Sequence, residues 1–320
     1  MSTPARSILA ATALSIVLAA PAPARCASMK VWVATGGDDS NPCTVQAPCK
    51  FLQHAHDVVA AGGEISVLNS GDYANVSIIK SVNITNDGVG EASIAVAAGI
   101  GVAIGAGEGD IVSLRGFVID GQGSGLVGIS VQTASAVHVQ NCVIKNWQSF
   151  GIDMTAFFPT RLFVSDTLVY NNGSVASNAG ILIQPDGRAG YNVVLDRVRL
   201  ENNVHGLRVE GSISGGTGSH AVVRDSLVAG NASDGILAHS QPGFASAFIV
   251  VEHTAVVNNA GTGILADGPH AVILLNDDSI KRNGSGIDAV NSGQLISYGN
   301  NRNNNNVGAE GTPTGSYVPM

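Results

Sequence analysis

Charge is scarce in this 320-residue chain, which carries 16 Lys and Arg against 24 Asp and Glu for a net charge of −8. Aromatic residues are scarcer still, at 2 Trp, 5 Tyr and 8 Phe, and there are four cysteines. The basic residues form no cluster and do not interleave with aromatics, so no nucleic-acid partner is expected, because neutralising phosphates takes a concentrated basic surface. No apolar run reaches the ~18 residues of a membrane-crossing helix, so no transmembrane anchor is expected either. The low charge excludes a highly charged disordered chain, and the 40 glycines follow no strict Gly-X-Y period, which excludes collagen. What is present is 45% apolar, mostly Val, Ile and Ala, together with 25 Asn. Such a chain can bury a core, but with few large rings in it.

The first 24 residues read as an export signal. One basic residue, Arg6, precedes the 13-residue apolar run Ile8 to Ala20, and Ala22-Pro23-Ala24 offers small residues for cleavage, which predicts a mature start at Arg25. The expected location is therefore periplasmic or extracellular. Cys43 and Cys49 stand in the Pro-flanked segment NPCTVQAPC, and export to an oxidising compartment favours a disulfide between them. A zinc site would need further ligands, and only His54 and His56 are near. Cys142 is read as a small buried hydrophobe, and Cys26 has no assignable partner.

From about residue 114 the chain repeats itself. NCVIKNWQSFGID (141 to 153), RVRLENNVHGLRV (197 to 209), DSLVAGNASDGILA (225 to 238) and HTAVVNNAGTGILA (253 to 266) each carry two apolar positions, then Asn, then Gly-Ile or Gly-Leu. The Gly of that pair recurs at 128, 151, 180, 206, 235, 263 and 286, giving spacings of 23, 29, 26, 29, 28 and 23. Apolar residues alternate over short runs separated by Gly, Asn, Asp and Ser, and no helical spacing is sustained. Three short strands per repeat define one coil of a parallel β-helix, here with about ten coils. Its narrow interior suits Val, Ile, Leu and Ala, whereas large rings would crowd it. That places Trp147, Phe150, Phe157, Phe158, Tyr191 and Phe244 near turns, mostly against the outer surface. Asn146, Asn171, Asn202, Asn231, Asn258 and Asn283 are expected at the corners, stacking their amides from coil to coil.

The repeats resemble the right-handed parallel β-helix family with the pectin-lyase-like fold. The stretch VWVATGGDDSNPCTVQAPCKFLQHAHDVVAAGGEISVLNSGDY is similar to the capping segment of secreted bacterial β-helix repeat proteins, in which a strand, a GxD turn, a Cys pair and a short helix precede the first coil. The resemblance covers the mature chain through QLISYGNN (294 to 301), and the whole sequence is expected to divide into a signal peptide over 1–24, a cap over 25–66, the β-helix over 67–308 and a loose tail over 309–320. The cap helix is expected at 51–60, with Phe51, Ala55, Val58 and Val59 on its covered side and His54 and His56 as surface or cap residues.

Enzymes of this fold degrade or remodel acidic polysaccharides, but their signatures are missing. There is no NTD, GHG or RIK element, and no WxDH followed by RxPxxR. Asp38 and Asp39 are read as turn formers, with a structural calcium site as the alternative; no other cofactor is expected. Register gives a sharper lead. If the Ile or Leu after each repeat Gly points inward, the next residue and the third point outward. One outward row then contains Asp153, Leu182, Arg208 and Leu237, and the next contains Gln184, Glu210, His239 and Asp267. With coils ~4.8 Å apart, Glu210 and Asp267 would stand ~10 Å apart with His239 between them. Arg208, Glu210, His239, Asp267, Gln184 and Asp153 are the candidate ligand-binding residues. Glu210, His239 and Asp267 are the candidate catalytic ones, in a polysaccharide lyase, hydrolase or epimerase with a noncanonical site. The preferred reading is an exported, non-catalytic scaffold that binds or borders a glycan or mediates cell-surface contact, with a polysaccharide or cell-surface glycan as its partner; the oligomeric state is left open.

Overall fold

The computed structural model describes residues 28–186, 190–211 and 216–317. The expected signal segment and Cys26 lie outside the described residues. Among the described residues every strand pairing is parallel, and the strands stack into three sheets of 12, 10 and 9 strands. Each coil visits them in that order, as in Ala136–Gln140, Val143–Lys145 and Phe150–Met154. The chain is therefore the expected parallel β-helix, and its nine-stranded sheet leaves fewer than the expected ten coils complete on all three sides.

Alternation builds the core. Ile264 and Ala266 in Thr262–Asp267, and Ile249 and Val251 in Ala247–Glu252, point into one continuous aliphatic interior. The corner from the ten- to the nine-stranded sheet uses two adjacent residues in different ways. Asn146, Asn171, Asn202 and Asn258 adopt left-handed angles (φ 62, 56, 52 and 56°) and turn the chain. The residue after each of these is the one that enters the core. Asn172, Asn203, Asn231, Asn259 and Asn283 are all buried and form the amide ladder. Of the Asn expected to stack, 231 and 283 do so. The other four are corner residues, and in their coils the stacking position is the next residue. In the coil of Asn231 the corner is taken by Gly230, at φ 67°.

Along this ladder each Asn Oδ1 accepts both the backbone N–H and the Nδ2–H of the Asn before it. Asn231 Oδ1, for example, stands 2.9 Å from Asn203 N and 3.3 Å from Asn203 Nδ2. The series ends at the Glu310 carboxylate, which accepts from Asn306 Nδ2 at 2.5 Å. At the other end stands Trp147, whose backbone N–H donates to Asn172 Oδ1 at 3.1 Å. The expectation that large rings stay outside fails here. Trp147 is 1% exposed and its Nε1–H donates to Ile119 O at 3.2 Å, while Tyr73, Tyr191 and Phe117 are also buried. Glycines make the room for the indole. A Cβ on Gly101, Gly121, Gly125 or Gly128 would lie 3.0, 2.7, 2.5 or 3.0 Å from a Trp147 ring atom. Phe157 and Phe158 do sit at the surface.

The tighter corner, from the 12- to the 10-stranded sheet, carries a second ladder of short oxygens. Ser226 Oγ accepts from Val198 N at 3.1 Å, Thr254 Oγ1 accepts from Ser226 N, and Asp278 Oδ1 accepts from Thr254 N at 3.0 Å. Asp278 is fully buried, and loss of hydration pushes its carboxyl up to about 7 despite two backbone N–H bonds. An acid whose pKa is raised on folding holds its proton more tightly folded than unfolded, so stability falls as pH climbs from about 4 through 7. Asp278→Thr, which restores the hydroxyl used at 254, is expected to raise stability above pH 8 by up to about 3 kcal/mol and to gain little at pH 4. Denaturant titrations at the two pH values test this, and an equal gain at both would refute the ionisation argument.

The N-terminal end is closed by the helix Leu52–Val58, shorter than the expected 51–60. Leu52, Ala55 and His56 are its buried residues, while Phe51 is its exposed N-cap and Val58 is only partly covered. Of the two places left open for His56, surface or cap, the structure gives the cap, with the ring buried. Its Nε2 accepts from the Ile79 N–H at 3.3 Å, and burial holds its pKa down. Cys43 and Cys49 are joined as a disulfide, which leaves no thiolates for zinc beside His54. Asp38 accepts the Ser40 N–H within its own turn, as expected, whereas Asp39 reaches across to accept the Lys50 and Phe51 N–H groups at the start of the cap helix. Cys142 is buried and free. Residues 309–317 do not hang loose. Ala309 and Glu310 accept from Gly286 N and Ile287 N at the end of the nine-stranded sheet, and Gly315–Ser316 adds a strand to the 12-stranded one.

Candidate functional site

The outer face of the nine-stranded sheet gathers the polar residues singled out by register. Glu210 pairs with His239 and His239 with Asp267 as direct cross-strand neighbours on three successive coils. Asp153, Leu182, Arg208 and Leu237 form the adjacent row. Leu207, Ile236 and Ile264 are buried on the opposite side of these strands, so the alternation counted from the repeat Gly holds.

Glu210 is only 8% exposed and both its oxygens are engaged. Arg208 Nε donates to Oε1 at 2.5 Å, and His239 Nδ1 lies 2.6 Å from Oε2. A carboxylate at Oε2 requires the proton on Nδ1, so His239 turns the lone pair or second proton of Nε2 towards Asp267, whose Oδ2 is 4.0 Å away. Asn291 Nδ2 holds the other Asp267 oxygen at 2.7 Å. Arg208, Glu210 and His239 are therefore hydrogen-bonded to one another, while Asp267 stands next in the row at 4.0 Å and is held by Asn291 instead. Leu182 and Leu237, in outward positions, are also covered.

Two clefts open on this face. One of about 320 Å³ is lined by His239, Gln241, Asp267, Asn291 and the Pro242 and Pro269 turns. A smaller one of about 230 Å³ is bounded by Thr155, Gln184, Pro185 and Asp186. The sequence-derived candidates thus divide. Arg208, Glu210, His239 and Asp267 come together, Gln184 belongs to the smaller cleft, and Asp153 stands two strands from Arg208. Asp153 Oδ1 is buried with no hydrogen-bond partner, and loss of hydration pushes its carboxyl up to about 6.

Counting from the repeat Gly missed three neighbours. His205 precedes that Gly and is 5% exposed; its Nε2 lies 2.9 Å from Ala176 O and its Nδ1 3.5 Å from Asp234 Oδ2. Burial holds the His205 pKa down, with Asp234 opposing that shift. Asn291 follows the last strand of the sheet, beyond the repeat. A signal for His205 was available, since Asp234 occupies the same place before Gly235 one coil on. No helix among the described residues is long and apolar enough to cross a membrane.

This geometry is that of a parallel β-solenoid with a histidine-centred polar row on one face. Residues 123–307 match the family described as right handed beta helix region, and the chain belongs to that family. No curated protein matches the sequence. Among solved structures, the pectate lyase Pel9A is similar with a TM-score of 0.66 at 15% identity, over 91% of this chain and 78% of that one. The enzymatically active domain of bacteriophage CBA120 tailspike protein 2 aligns with a TM-score of 0.55 at 13% identity, over 80% of this chain and 43% of its own. The A-module of an Azotobacter vinelandii mannuronan C-5 epimerase aligns at 0.50 and 14% identity, over 81% and 91%. At such identities these likenesses concern the fold.

Proposed function

We propose that this is an exported protein that binds a glycan on the outer face of its nine-stranded sheet, around the cleft of His239, Asp267 and Asn291, without turning it over. The observation that carries this reading is the engagement of Glu210. Hydrolysis of a glycosidic bond by inversion uses two carboxyl groups ~6.5 to 9.5 Å apart, one as acid and one as base. Here Glu210 is buried and committed to Arg208 and His239, which leaves Asp267 as the accessible carboxylate of the row. An imidazole, a carboxylate and two amides around a cleft suit sugar hydroxyls, which both donate and accept hydrogen bonds. Polysaccharide-directed names among the fold neighbours, and a disulfide suited to an oxidising compartment, support the same direction. The scattered basic residues and the net charge of −8 argue against a nucleic-acid partner, and no cofactor is invoked.

A glycan array on the chain from Arg25 onward is expected to give binding that falls at least tenfold in Asp267→Asn and His239→Ala, with no new reducing ends or unsaturated products. Absence of any glycan binding would sink the proposal. The contiguity of Glu210, His239 and Asp267 favours one second reading, a lyase, hydrolase or epimerase of noncanonical site. Products that appear with the native chain and vanish in Glu210→Gln would establish it instead.

A further inference from the structure

We infer that the groove along the corner between the ten- and nine-stranded sheets is a second binding site, for an uncharged saccharide chain. This inference does not rest on the cleft at Asp267. The groove is open to solvent, measures about 580 Å³ and runs across three coils, past the exposed side chains of Gln122, Gln148 and Asn171. The amide side chains of these three have no hydrogen-bond partner among the described residues. Each amide offers both a donor and an acceptor, the pairing that a sugar hydroxyl meets. The three stand on successive coils, which rise by ~4.8 Å, at different places in the turn: Gln122 lies two residues beyond Asp120, Gln148 three beyond Lys145 and Asn171 one beyond Tyr170, the three residues that pair across these coils.

Charge and polarity narrow the ligand. Among the described residues, no ionisable one lines the groove. Asp120, the carboxylate that accepts from Asn146 of the lining, is taken up by Asn146 Nδ2 at 2.9 Å and Lys145 Nζ at 3.4 Å. A polyuronate would find no cation to pair with, and an amine no free anion. Trp147 forms the floor but is buried, so the groove offers no exposed ring to an aromatic or apolar ligand.

The wall is built in advance. It begins at Gly173 and Ser174 and continues into a loop held at three points. Asn178 Oδ1 accepts the Ser174 and Val175 N–H groups at 3.0 Å, His205 Nε2 lies 2.9 Å from Ala176 O, and Arg208 Nη1 donates to Ser177 O at 3.1 Å. A wall fixed this way loses little freedom when a ligand settles against it.

The test uses the chain from Arg25 onward with uncharged cello-, manno- and N-acetylated chito-oligosaccharides, and with polygalacturonate as the charged comparison, by array and titration calorimetry. The triple variant Gln122→Gly, Gln148→Ala, Asn171→Gly removes the amides while keeping residues that tolerate the left-handed angles at 122 and 171, as Gly230 does at the matching corner. An uncharged oligosaccharide is expected to bind the native chain, to lose at least tenfold affinity in the triple variant at an unchanged melting midpoint, and to be retained in Asp267→Asn. Should the triple variant melt early, Gln148→Ala alone is expected to lose about threefold. Binding of polygalacturonate only, no loss in the amide variants, or equal loss in Asp267→Asn would overturn the inference. The first and last of these outcomes would leave the Asp267 cleft standing as the glycan site, whereas silence across the whole array would remove both.

Discussion

Asn231→Asp is expected to destabilise the protein by about 3–5 kcal/mol at pH 7, while Asn258→Gly, at the neighbouring kind of position, is expected to cost less than about 1 kcal/mol. Asn231 is 1% exposed and uses its whole amide. Oδ1 accepts two N–H groups from Asn203, and Nδ2 donates to Asn259 Oδ1 at 2.8 Å and to Leu200 O at 3.2 Å. An aspartate would put an oxygen against those two acceptors and bury a charge that has no counterion. Its pKa would rise above the unfolded value, so the deficit should grow as pH climbs from about 4 and shrink below it. Asn258 turns the corner with its side chain in solvent, a role glycine fills at 230. Denaturant midpoints at pH 4 and pH 7 separate the two variants; equal costs for 231 and 258 would refute the assignment of ladder and corner.

The second large effect is expected at Trp147. Trp147→Ala should cost about 3–5 kcal/mol, the usual range for emptying a buried ring site. Gly125→Ala should cost about 1–3 kcal/mol by overpacking, since its Cβ would meet Trp147 Cζ3 at 2.5 Å and Val96 O at 2.6 Å. The two sites share one space, so the double variant should lose less than the sum of the singles. The part of the clash against Val96 O remains without the indole, which prevents full rescue. Chemical denaturation of the four proteins closes this cycle, and strict additivity would mean that the glycine cradle is not what admits the ring.

Both expectations bear on what could be read before folding. The recurring Gly-Ile and Gly-Leu pairs, 23 to 29 residues apart, were enough for the coil architecture. Alternation from each Gly was enough to place Glu210, His239 and Asp267 on one row, because strand periodicity is local and parallel stacking brings equal positions side by side. The Asn assignment slipped by one residue in several coils for a reason that is also local. Asn171-Asn172, Asn202-Asn203 and Asn258-Asn259 are doublets, and left-handed corner and inward amide are both ordinary uses of Asn. Only the coil above or below tells which member has an amide to meet. For His56 the choice between surface and cap stayed open, because helical spacing does not show that the first coil supplies the Ile79 N–H to its ring.

By itself, then, the sequence determined an aliphatic parallel β-helix with a short N-terminal cap helix, a Cys43–Cys49 bridge and a histidine between two acids on one face. Repeat spacing and alternation are properties of the chain that need no distant partner to be read. The tertiary structure decided which polar groups are spent and which are free. It buried Glu210 between Arg208 and His239, admitted Trp147 among four glycines, and left Gln122, Gln148 and Asn171 uncommitted along a groove. Those outcomes depend on contacts between coils 23 or more residues apart, where the cost of burying a polar group is met or not by atoms that sequence order does not bring together.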